Sequence, residues 1–127
     1  MIKTLATITV LIVAALHAGF LALEMFYWDH EIGRKVFSMT AQQSADTAVL
    51  AANQGLYNGF LAAGLLWGLF AGKRDVVVFF LLCVIVAGVF GAVTAKPTIL
   101  YTQAAPAALA LVLTLMAPGK RQKLHKA

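Results

Sequence analysis

The stretch that decides the fold is Val76-Val77-Val78-Phe79-Phe80-Leu81-Leu82-Cys83-Val84-Ile85-Val86-Ala87-Gly88-Val89-Phe90-Gly91-Ala92-Val93, an apolar run with no charged or amide side chain. A helix of this length reaches most of the way across the roughly 30 Å hydrocarbon core of a bilayer. It is closed by Lys73-Arg74-Asp75 on one side and by Lys96-Pro97 on the other. Working outward from it, a similar run precedes it at about 48–70, a third follows at about 98–117, and a fourth lies near the start at about 5–28. The breaks at 71–75 and 94–97 are short, so the helices at 48–70, 76–93 and 98–117 are expected to be antiparallel neighbours.

Composition agrees with this pattern. Of 127 residues, 61% are hydrophobic and 12% charged, against roughly 45–50% and about 25% in soluble domains. Mean hydropathy is +0.86. These values exclude a disordered chain, a coiled coil and an ordinary water-soluble enzyme. The expectation is a single all-α domain over 1–127: a polytopic membrane protein built as an antiparallel four-transmembrane-helix bundle, with the lipid bilayer as its surroundings. Lys3 ahead of an apolar run resembles a signal peptide, but the run is long for one and continues into Glu24-Met25-Phe26-Tyr27-Trp28, so the first span is expected to stay.

The formal net charge is +5. The positive residues sit in the breaks between spans instead of along one face, so they report topology and not nucleic-acid binding. Lys3, Lys73, Arg74, Lys120, Arg121, Lys123 and Lys126 fall on one side, and Arg34, Lys35 and Lys96 on the other. The positive-inside rule then puts both termini and the tail 118–127 in the cytoplasm of a bacterial inner membrane, and the loop 29–47 outside. Cys83 is the single cysteine, so neither an intrachain disulfide nor a cysteine-based zinc site can form.

Polar side chains inside a bilayer are costly, so their depth is informative. At 1.5 Å per residue, Glu24, Asn53, Gln54, Tyr57, Asn58, Tyr101 and Gln103 all fall in the outer third, and His17 lies roughly 10 Å below Glu24. Depth alone matches His17 to Tyr57 and Asn58, and Glu24 to Asn53 and Gln54. His17 and Glu24 are too far apart to bond each other, so each needs a partner elsewhere. Pro106 frees the carbonyl of Thr102 beside Gln103. The helix at 76–93 carries almost nothing polar and reads as a support.

Two further features stand out. Small residues recur every fourth position at Ala51, Gly55, Gly59 and Ala63, and again at Gly64, Gly68 and Gly72, which favours close helix packing within the bundle or, along the second stripe, a homodimer. Thr40-Ala41-Gln42-Gln43 fits a capping box, so the second long helix is expected to begin near Ala41 and the loop to fold over the polar cluster as a lid. Asp29, His30 and Glu31 have ligand-type side chains without metal-site spacing, so no metal is expected. No motif calls for a cofactor.

The stretch Leu50-Ala51-Ala52-Asn53-Gln54-Gly55-Leu56-Tyr57-Asn58-Gly59-Phe60-Leu61-Ala62 resembles the small bacterial integral membrane proteins grouped as domain-of-unknown-function family 1304. His17, Leu23-Glu24-Met25-Phe26, Trp28, Gly33, Lys35-Val36-Phe37, Gln103 and Pro106 match as well. The resemblance implies a four-helix membrane protein and supplies no reaction. Ser38 stands where the family is expected to carry glycine, and Ala48 where lysine is frequent.

Three functions are compatible with these residues. The first is a pocket for a small molecule or lipid headgroup, with His17 as proton carrier, Glu24 as acid, base or cation partner, and Asn53, Gln54, Tyr57, Asn58, Tyr101 and Gln103 as ligand-binding groups; proton transfer or isomerisation would suit it. The second is a proton-coupled exporter working as a homodimer. The third is a non-catalytic scaffold whose polar groups join the helices.

Overall fold

The computed structural model describes residues 1–118. Most of the expected tail, including Lys120, Arg121, Lys123 and Lys126, lies outside the described residues. The elements among the described residues are all helical: α1 (Ile2–Phe26), α2 (Glu31–Phe37), α3 (Ala41–Phe70), α4 (Arg74–Thr94), a π-helical turn (Leu100–Ala104) and α5 (Ala105–Met116). Two of these, α1 and α4, are long and apolar enough to cross a membrane.

The local signals explain the ends. The capping box at the start of α3 is complete: Gln43 N–H donates to Thr40 Oγ1 (3.1 Å) and Thr40 N–H to Gln43 Oε1 (2.9 Å). The helix therefore starts at Ala41 and runs 30 residues, about 45 Å at 1.5 Å per residue. Gly72, at φ 65°, turns the chain into α4, and Lys73 N–H closes the turn on Gly68 O at 2.8 Å. Pro106 lies at the start of α5, directly after the π-helical turn. Its ring has no N–H to donate to the preceding turn, and a π-bulge is one way a helix absorbs such a gap.

The short helix α2 was not expected within the 29–47 loop. His30 caps it by accepting from Ile32 N–H at 3.3 Å, and Ser38 ends it in the left-handed region at φ 56°. That conformation favours glycine, which accounts for the glycine expected at this position. Gly33 is buried because α2 rests on the chain at Tyr27 and Trp28; a Cβ there would sit 2.6 Å from Trp28 O.

One core holds the long helices together. It contains Val10, Val13 and Ala14 from α1, Leu65 from α3, Val77, Leu81 and Val84 from α4, and Ala107 and Ala110 from α5. Small residues set the approach distances. Gly55 lies against Glu24 and Met25, Gly64 against the Phe80 ring, Gly68 against Val77, and Gly88 against Ala104. In the second stripe of glycines, Gly64 and Gly68 are buried within the chain.

Candidate functional site

Glu24 leaves α1 two residues before its end and meets α3. Its Oε2 accepts a hydrogen bond from Asn58 Nδ2 at 2.7 Å, a contact spanning 34 positions of sequence. Asn58 is buried. The pair opens into a cavity of about 780 Å³. Gln54 and Tyr57 from α3 and Gln103 from the π-helical turn also line it, so five of the expected polar residues meet in one space.

Three do not line it. His17 is buried below the cavity, with Nδ1 2.8 Å from Val13 O and Nε2 without a partner among the described residues. Its ring stands edge-on to Phe20 at 5.6 Å. Asn53 is exposed on α3, and Tyr101 is 73% exposed. The register between α1 and α3 explains the first of these. Gly59 packs on Leu21 and Gly55 on Glu24 and Met25, so His17, four residues below Leu21, lies about one turn deeper than Gly59. The depth matching had put Glu24 level with Asn53 and Gln54. Its partner is instead Asn58, one turn further along α3.

α4 contributes a whole wall, contrary to its expected role as a support. Cys83, Ala87, Gly91 and Ala95 line the cavity at four-residue spacing, a small-residue stripe that was readable in the sequence. Their short side chains leave the volume open. Lys96 follows them and lines the cavity too.

The cavity is covered from the 29–47 segment. Phe37 and Met39 line it, and the Phe37 ring lies 4.7 Å from that of Trp28. Four contacts hold this cover. Trp28 Nε1 donates to Thr47 Oγ1 at 2.9 Å. Asp29 Oδ1 accepts from Ser44 Oγ at 2.6 Å and pairs with Arg34 at 3.0 Å. Lys96 Nζ donates to Phe37 O at 3.2 Å, at the end of α2 where carbonyls lack helical partners. Asp29 and His30 are thus engaged in structural bonds, and no three His, Cys, Asp or Glu side chains among the described residues are grouped to share a metal.

Among the cavity's described lining residues, Glu24 is the one carboxylate and Lys96 the one ammonium. Amides from Gln54, Asn58 and Gln103 supply donors and acceptors, and Trp28, Phe37 and Tyr57 supply aromatic surface. Such a space can hold a small polar group by charge and hydrogen bonds while its apolar part rests on the rings.

Over residues 11–115 the sequence matches the family described as Protein of unknown function (DUF1304). The chain belongs to this family. Every residue of the DUF1304 cavity, from Glu24 to Gln103, lies inside the matched segment. A similar protein is the uncharacterized protein YpaA of Lactococcus lactis subsp. lactis (strain IL1403), 30% identical over 114 residues, which cover 86% of this chain and 96% of YpaA. No solved structure matches the chain.

Proposed function

We propose that this DUF1304 protein is a multi-pass protein of the bacterial inner membrane, an antiparallel bundle of four spanning helices, and that its covered cavity binds a small polar molecule or lipid headgroup in the outer-leaflet half. The membrane reading is supported by where the apolar surface lies. In the most apolar windows of α1 and α4 only 28% and 22% of residues are buried. Phe79, Val86, Phe90 and Val93 on α4 are each more than half exposed. A helix that apolar and that exposed needs lipid around it. α3 meets the length of a span, but Asn53, Gln54 and Asn58 dilute it, and α5 with the π-helical turn is shorter.

Orientation rests on the tail. Lys3, Lys73 and Arg74 are balanced at the other end of the bundle by Arg34, Lys35 and Lys96. The four cations at 120–126 tip the balance, and the positive-inside rule then puts both termini in the cytoplasm.

The observation that carries the binding function is the Glu24–Asn58 pair opening into a volume of about 780 Å³ beneath Phe37 and Met39. Groups that served only to join helices would bond one another and close the gap. In this reading Glu24 meets a cationic or proton-donating group of the ligand, Lys96 an anionic one, and the three amides fix its orientation. Glu24, the carboxylate facing the space, takes the acid–base role in any proton transfer. His17 positions α1 through its burial and does not touch the ligand.

The test is retention of co-purified molecules. The intact chain in mild detergent, analysed by native mass spectrometry and extraction, should carry a small molecule or lipid. Glu24→Gln and Gln103→Ala should lose it, while Asn53→Ala, on an exposed face, should keep it. Equal retention in all three variants would overturn the proposal.

A further inference from the structure

The opposite end of the bundle holds a second recess. It has a volume of about 210 Å³ and lies where α1 and α4 begin and α3 and α5 end. Lys3, Thr7, Arg74 and Thr114 line it, with Gly68 and Gly72 leaving room. Thr114 is 8% exposed, and its Oγ1 is buried with no hydrogen-bond partner among the described residues. A helical threonine ordinarily bonds a carbonyl one turn back, as Thr9 does to Leu5 O at 3.0 Å and Thr94 to Phe90 O at 2.8 Å. Leaving such a group unsatisfied is costly.

Among the described residues, the charged side chains lining the recess have one sign. Lys3 and Arg74 line the recess, while Asp75, next on α4, does not. Arg74 donates one N–H to Leu115 O, and a guanidinium carries five. The positive first turns of α1 and α4 are offset there by the negative last turns of α3 and α5, so the attraction for an anion rests on the two cations.

We propose that this recess binds a phosphate group, held by Lys3 and Arg74 with Thr114 Oγ1 donating to one of its oxygens. Two sources share that chemistry: the headgroup of an anionic phospholipid and a soluble phosphate compound. The lipid source, unlike the phosphate chemistry, rests on the membrane reading above; neither rests on the outer cavity.

The full chain is purified in neutral detergent and offered phosphatidylglycerol, diacylglycerol or inorganic phosphate. Lipid retention is read by native mass spectrometry and phosphate binding by the thermal unfolding midpoint. Phosphatidylglycerol should be retained over diacylglycerol, with retention falling about fivefold in Lys3→Gln and again in Arg74→Gln. Thr114→Val should weaken it further and Thr114→Ser should keep it. Arg34→Gln, at the other end of the bundle, should change nothing. Stabilisation by inorganic phosphate that also displaces the lipid supports a soluble source; lipid retention without it supports the headgroup. Arg74→Gln also removes the bond to Leu115 and can loosen that end, but Lys3 is exposed in the first turn, so its variant keeps the test sharp. Unchanged retention in Lys3→Gln with no phosphate effect, or an equal loss in Arg34→Gln, overturns the proposal.

Discussion

Asn58 on α3 donates to the Glu24 carboxylate on α1 at 2.7 Å, and this bond fixes the register of the two helices at the mouth of the cavity. Asn58→Ala should destabilise the fold by about 1 kcal/mol, since interhelical bonds in membranes average roughly 0.6 and reach about 1.7 kcal/mol. Glu24→Gln keeps an acceptor and should cost less. A double-mutant cycle on reversible unfolding in mixed micelles, with both residues also changed to Ala, should return a positive coupling. Purely additive effects would mean the bond is not formed.

Ser38 pays a conformational cost at φ 56°. Ser38→Gly should therefore stabilise the protein by roughly 0.5–1 kcal/mol, and a β-branched residue there should destabilise it. The unfolding midpoint of the two variants against the parent is the measurement. A lower midpoint for Ser38→Gly would mean that α2 does not end in this conformation.

Cys83 is a built-in reporter, because it is the chain's one cysteine and lines the cavity below Phe37 and Met39. Its alkylation by a small maleimide should be slow in the parent. Lys96→Gln, which removes the bond to Phe37 O, and Gly33→Ala, whose Cβ would press on the Trp28 backbone, should each speed it severalfold by loosening the cover. Lys3→Gln, at the far end, should leave the rate alone. A time course of intact mass measures all four.

The proposed orientation is checked by fusions. A fluorescent protein after Ala127 should fold and glow, and a periplasm-dependent phosphatase inserted at Met39 should be active. Replacing Lys120, Arg121, Lys123 and Lys126 with glutamine removes the charge bias and should yield a mixed population in which part of each reporter signal is lost. An inactive phosphatase in the parent chain would reverse the topology.

The helices were legible because apolar runs of this length and the Thr40–Gln43 capping box are strong local signals. The polar cluster was legible because amides and carboxylates are expensive in apolar helices, so Glu24, Gln54, Tyr57, Asn58 and Gln103 stood out by type and depth. Depth could not give register. Glu24 lies against Gly55, beside Gln54 as depth suggests, yet its carboxylate reaches Asn58, one turn deeper on α3. Nor could depth give facing, which sends Asn53 and Tyr101 outward and His17 into the helix interface. α2 was missed because seven residues carry too little periodicity to read as a helix. The α4 wall carries no polar signal, because Cys83, Ala87, Gly91 and Ala95 act by being small.

That last feature separates two properties that most binding sites hold on the same residues. The dimensions of the chamber are governed by α4 and its chemical character by α1, α3 and the π-helical turn. Exchanging Ala87 for a larger aliphatic would shrink the guest that can be accommodated while leaving every hydrogen-bonding group in place, so homologues are free to diverge in the bulk of what they hold without rebuilding how they hold it.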